Sequence, residues 1–155
     1  MSINPFKRRA IPKKIPKSLL ADINKFAESK NKDIILKKCF NYVVSKQKGG
    51  RLNMILKINR LFKDNFEDIW RRKGFMYCTA MNYLLRIMLV KSGFFKDEDI
   101  ELKLTNTWYI VPHQYLRIKM NERKFINVDP WAYQFGIDFG NYGHGFKAGS
   151  LNSIR

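Results

Sequence analysis

Residues 78–104 read CTAMNYLLRIMLVKSGFFKDEDIELKL, and the hydrophobic period changes within them. From Cys78 to Lys91 the run is the most apolar in the chain, with Leu84, Leu85, Ile87, Met88 and Leu89 in near succession, which predicts a helix buried on most of its surface. Ser92-Gly93 closes it, because glycine accepts the backbone conformation that ends helices. After the acidic turn Lys96–Asp99, Ile100, Leu102 and Leu104 alternate with polar neighbours, the period of a half-buried strand. Helices end here and strands begin.

Working outward, Ser18–Ser29 places Leu19, Leu20, Ile23, Phe26 and Ala27 on one helical stripe, after Pro16. Asp33–Lys48 is a second helix with Ile35, Cys39, Phe40 and Val43 on its apolar face, ended by Gly49-Gly50. Arg51–Phe62 repeats the pattern, and Phe66–Arg72 carries Trp70 before Gly74 breaks the chain. On the other side, His113–Lys119 and Lys124–Val128 are strands around the polar turn Met120–Arg123, and Phe135–Gly149 reads as irregular structure. The fold class is α+β: N-terminal helices, then a buried helix carrying Cys78, packed on a small antiparallel sheet. With 155 residues, the expected organisation is a basic extended arm at 1–17 and a single domain at 18–155.

The chain carries 30 Lys plus Arg against 13 Asp plus Glu, a formal +17 that favours anionic partners. Residues 1–74 hold 20 basic and 6 acidic side chains, a net +14, leaving +3 for residues 75–155. Lys7, Arg8, Arg9, Lys13, Lys14 and Lys17 lie in a segment where Pro5, Pro12 and Pro16 oppose helix formation, so this arm is a candidate contact for nucleic acid or another acidic partner. A solvated tail on a lysine-rich protein is the plainer reading. Two cysteines without a CxxC pair give neither a disulfide framework nor a zinc knuckle, and a reducing compartment fits. No apolar run reaches the ~20 residues of a membrane-spanning helix, and no secretory leader is read, so a cytoplasmic location is expected.

Cys78 stands at the start of its helix, where backbone N–H groups and the positive dipole end stabilise a thiolate and can receive an oxyanion. Gly74, four residues earlier, would let the chain approach closely. A free cysteine is more often a small buried hydrophobe, which is the role expected of Cys39. The base must come from His113 or His144, and His113 is better placed because it opens a strand, whereas His144 sits between glycines. Asp129 follows the next strand. A hairpin folded at Asn121 would set Asp129 opposite His113 and Tyr115 opposite Asn127, with Leu116, Ile118, Ile126 and Val128 on the other face. An odd loop count or a bulge is required, and the alternative is that Asp129-Pro130 merely ends the strand.

Cys at a helix start, His at a strand start and Asp after the next strand, in that order, resemble the transglutaminase-like superfamily of papain-like Cys-His-Asp enzymes. The resemblance covers about residues 30–133 and places the nucleophile on Cys78, the base on His113 in Pro-His-Gln-Tyr, and the orienting acid on Asp129 in Asn-Val-Asp-Pro-Trp. It implies acyl transfer or amide hydrolysis of a protein or peptide substrate through a thioester. No metal or other cofactor is expected, since a zinc site would consume Cys39, Cys78, His113 and His144 without a close-spaced pair. The commonest family pattern has a Gly close before the Cys and a Trp two residues after the His; this chain has Gly74 and Tyr115 instead. Trp70, Tyr115 and Asn127 are the candidates for an oxyanion site or substrate groove. The alternative is a basic binding module for nucleic acid or another polyanion on an inactive fold of the same type.

Overall fold

The computed structural model describes residues 4–48, 65–71, 74–145 and 147–150. The helix expected at Arg51–Phe62 lies outside the described residues. Pro16 precedes α1 (Lys17–Ala27), where its fixed φ costs no helical hydrogen bond, and Leu19 and Ile23 turn inward from the same face. Lys30 takes a left-handed φ of 51°, and Asn31 Oδ1 then accepts the N–H groups of Asp33 and Ile34, which opens α2 (Lys32–Lys46). Ile35, Leu36, Cys39, Phe40 and Val43 of α2 are buried. Two residues of β1 (Gln47–Lys48) pair in parallel with β2 (Gly74–Phe75), which follows the short α3 (Phe66–Arg71).

At the centre lies α4 (Cys78–Lys91), with every residue from Cys78 to Leu89 buried. Its expected boundaries hold at both ends. It contacts α1 and α2 as well as the sheet, so its apolar circumference is packed from several directions. The buried Arg86 is tolerated there because Nε donates to Asp97 Oδ1 at 2.7 Å and Nη2 donates to the carbonyl of Arg9.

A 3-10 turn (Asp97–Asp99) leads into the antiparallel sheet of β3 (Ile100–Thr107), β4 (Val111–Lys119) and β5 (Phe125–Val128), in that order. Leu116 pairs with Val128 and Ile118 with Ile126, giving the apolar sheet face that the sequence predicts. The register differs by two from the predicted one: Arg117, not Tyr115, faces Asn127. The loop is longer than a turn at Asn121 alone, because Asn121 Oδ1 accepts the N–H groups of Arg123 and Lys124 while Met120 N–H bonds Lys124 O. An odd loop count survives, so His113 and Asp129 keep the same side.

After α5 (Pro130–Tyr133), the tail read as irregular instead forms a hairpin of β6 (Asn141–His144) and β7 (Lys147–Ser150). Backbone bridges tie Gly145 to Thr107 at the end of β3 and Gly140 to Asn127 of β5. The hairpin thereby reaches both edge strands of the sheet, which supply the hydrogen-bond partners that its short, glycine-rich strands lack alone.

Candidate active site

Three elements converge on one imidazole. β4 carries His113, which is 2% exposed, and its Nε2 lies 2.6 Å from Asp129 Oδ2. Asp129 stands just past β5 as the N-cap of α5, with Pro130 at the first helical position. Its Oδ1 accepts Ala132 N–H at 3.0 Å, and Oδ2 also accepts Gly143 N–H at 2.9 Å. The carboxylate is thus fixed by two backbone donors before it meets the ring, which leaves it one orientation.

With Nε2 committed to Asp129, Cys78 is the other side chain close enough to act electrostatically on the imidazole. Burial favours the neutral ring, but Asp129 and Cys78 outweigh it and raise the His113 pKa from 6.5 to about 10. Cys78 is the first residue of α4; Ala80 and Met81 N–H close on the carbonyl of Tyr77, and neither a side-chain cap nor an acidic first turn opposes negative charge at that end. At 8% exposure Cys78 is buried, though less completely than His113 and Asp129. Cys39, by contrast, is fully enclosed on α2, and burial pushes its thiol up to about 12.

The indole of Trp131 lies over the ring of His113 at a centroid distance of 5.1 Å. It stands two residues past the acid on a Pro-started turn and is itself buried. Gly143 also sits in a tight place: a Cβ there would come within 3.3 Å of Ala132 Cβ and Thr107 Cγ2, so those side chains would have to shift for its N–H to keep its place against Asp129. Sequence reasoning assigned neither residue. Trp131 was signalled by Asp-Pro-Trp, an N-cap followed by Pro at N1, whereas Gly143 emerges only from the long-range pairing of the tail.

Asn82, one turn below Cys78 on α4 and not singled out by the sequence, donates to Gln114 O at 2.7 Å and pins the cysteine helix to the strand of His113. The other predicted residues divide. Tyr115 is buried and stacks on Tyr142 at 4.0 Å, and Asn127 is 1% exposed, so both belong to the interior beneath the site. Trp70 belongs elsewhere: its ring lies under the Lys46 ammonium and lines a cleft with Lys14, Phe66 and Arg71. A Cβ at Gly74 would meet nothing within 4 Å, so its φ of +94°, not crowding by Cys78, is what calls for glycine. His144 is exposed and bonds Thr105 Oγ1 through Nδ1 at 2.5 Å.

The basic arm is extended but docked. Gln114 donates to Phe6 O, Tyr83 to Ala10 O and Lys91 to Lys13 O, while Arg8 pairs with Asp97 and donates to Ile100 O. Arg9 lies over the Tyr83 ring. Of the six cations grouped by the sequence, Arg8 and Arg9 are therefore turned to the protein, and Lys7, Lys13, Lys14 and Lys17 are exposed. Among the described residues no helix is long and apolar enough to cross a membrane. Compared with protein-family models, curated proteins and solved structures, the chain finds no match.

Proposed function

We propose that this chain is a cysteine-dependent enzyme that transfers or hydrolyses an amide-linked acyl group through a thioester, in the manner of the transglutaminase-like superfamily. The observation that carries the reading is the imidazole of His113, bonded to a fixed buried carboxylate and neighboured by a cysteine at a helix start. The sulfur of Cys78 attacks the carbonyl carbon of a protein or peptide amide. Backbone N–H groups at the start of α4 are the nearest source of positive potential for the oxyanion that forms. The C–N bond breaks as His113 gives its proton to the leaving amine, and Asp129 holds the ring in place. An acceptor then gives its proton to His113, attacks the thioester and releases the Cys78 thiolate. Water as acceptor gives hydrolysis; an amine gives transfer.

Hydroxylamine serves as an acceptor that reports both outcomes, because it captures an acyl-enzyme as a hydroxamate. Mixed glutaminyl and asparaginyl peptides are incubated with the protein and hydroxylamine. Hydroxamate formation that vanishes in Cys78→Ala and falls at least a hundredfold in His113→Ala supports the reading, since general acid–base help contributes about 10²–10⁴-fold. Hydroxamate formation undiminished in Cys78→Ala contradicts it.

A further inference from the structure

A cleft of about 310 Å³ opens between the end of the arm and α3, lined by Lys14, Ile15, Pro16, Phe66, Glu67, Trp70 and Arg71. It lies outside the catalytic constellation, and three features give it a chemistry of its own. Two aromatic rings, Phe66 and Trp70, are half-buried in its wall, and the Lys46 ammonium lies 3.0 Å over the Trp70 ring, holding the indole in place. Lys14 and Arg71 stand exposed at the rim beside Lys13. The arm is anchored through backbone carbonyls, with Lys91 donating to Lys13 O, so the Lys13 and Lys14 ammonium groups are left facing solvent. Among the described residues of the wall Glu67 is the one acidic side chain, and its ion pair with Arg71 spans 3.8 Å with both side chains more than three-quarters exposed, too loose to keep Arg71 from a phosphate.

Aromatic faces within a cationic groove are the chemistry that binds unpaired bases on a polyanionic backbone. We propose that this cleft binds single-stranded nucleic acid, with a base against Trp70 and Phe66 and adjoining phosphates against Lys14 and Arg71. An anionic bilayer is disfavoured because it is entered by protruding apolar side chains, and neither Phe66 nor Trp70 is among the large exposed hydrophobics. Binding here requires nothing of the chemistry proposed for Cys78.

The test is fluorescence anisotropy of the full chain with labelled oligothymidine and oligouridine across a salt series. Contacts from Lys13, Lys14 and Arg71 give a log–log salt slope of about −2, at about 0.7 per neutralised phosphate. The double variant Lys14→Glu, Arg71→Glu changes only exposed side chains; it weakens binding at least about tenfold and flattens the slope by about 1.4. Trp70→Ala weakens binding by about 5- to 150-fold, the range for loss of one base stack, and Trp70→Phe recovers most of it. Circular dichroism of each variant establishes that the fold is kept. Cys78→Ala binds like the wild type. No binding at low salt, binding indifferent to the double variant, or association with phosphatidylserine vesicles but not with either oligonucleotide overturns the proposal.

Discussion

Asp129→Asn tests the geometry of the site through the stability of the whole protein. The buried carboxylate accepts from His113 Nε2 at 2.6 Å, Gly143 N at 2.9 Å and Ala132 N at 3.0 Å. An amide of nearly the same shape offers one oxygen and one NH2, so in either orientation a donor meets a donor, and His113 loses the anion that holds its proton. Removing one partner of a buried ion pair costs about 3–5 kcal/mol. An orphaned N–H costs about 1–3 kcal/mol, but the two losses overlap at the same atoms. The expected destabilisation at neutral pH is therefore about 3–5 kcal/mol, a large share of the roughly 5–15 kcal/mol that holds a domain. The pH dependence makes the prediction specific. Burial alone would favour the neutral ring, yet Asp129 and Cys78 raise His113 from 6.5 to about 10, so the folded protein keeps a proton that the unfolded chain releases. That contribution is complete below pH 6.5 and is lost as pH rises through about 10, with a limiting slope of about 1.4 kcal/mol per pH unit between them. Urea unfolding of wild type and Asp129→Asn between about pH 6 and about pH 10 should show a gap that narrows toward the alkaline end. A gap below about 1 kcal/mol at neutral pH, or one constant with pH, refutes the reasoning.

Three further outcomes follow from particular contacts. Cys39→Ser places a hydroxyl in the enclosed face of α2 and should lower stability by about 1–3 kcal/mol, while Cys78→Ala, at the edge of the core, should unfold near the wild-type midpoint; equal midpoints for Cys39→Ser and wild type would argue against packing. Gly143→Ala forces contacts of 3.3 Å with Ala132 and Thr107 and should cost about 1–3 kcal/mol, and it should lower hydroxamate formation by displacing the donor to Asp129. Arg86→Met removes the guanidinium that donates to Asp97 and to the Arg9 carbonyl; limited trypsin digestion should then cut the arm faster, and an unchanged rate would mean that the arm is held without Arg86.

Much of this arrangement is legible in the sequence because its signals are local. The apolar run of α4 fixes its ends between Tyr77 and Ser92, and strand alternation fixes which residues of β4 and β5 share a side. Loop length is less legible. Asn121 caps two successive N–H groups and draws Lys124 into the turn, which shifts the pairing by two and makes Arg117 the partner of Asn127. His113 and Asp129 still meet because Asp129 has left the ladder for the N-cap of α5, where its side chain turns back toward the strand. The tail and the arm were hidden for a different reason. β6 and β7 are short and rich in glycine, a residue with little strand preference, and exist through pairing with distant edges; the arm docks through carbonyls, which every residue possesses.

The most direct measurement of the central claim is the rate of iodoacetamide alkylation at Cys78 and Cys39, resolved by peptide mass, in wild type and His113→Ala. Cys78 coupled to His113 should be labelled selectively at neutral pH and slow markedly in His113→Ala, while Cys39, enclosed and with its thiol pushed up to about 12, stays unmodified in both folded proteins. Equal, slow labelling of the two cysteines in both proteins would contradict an activated Cys78.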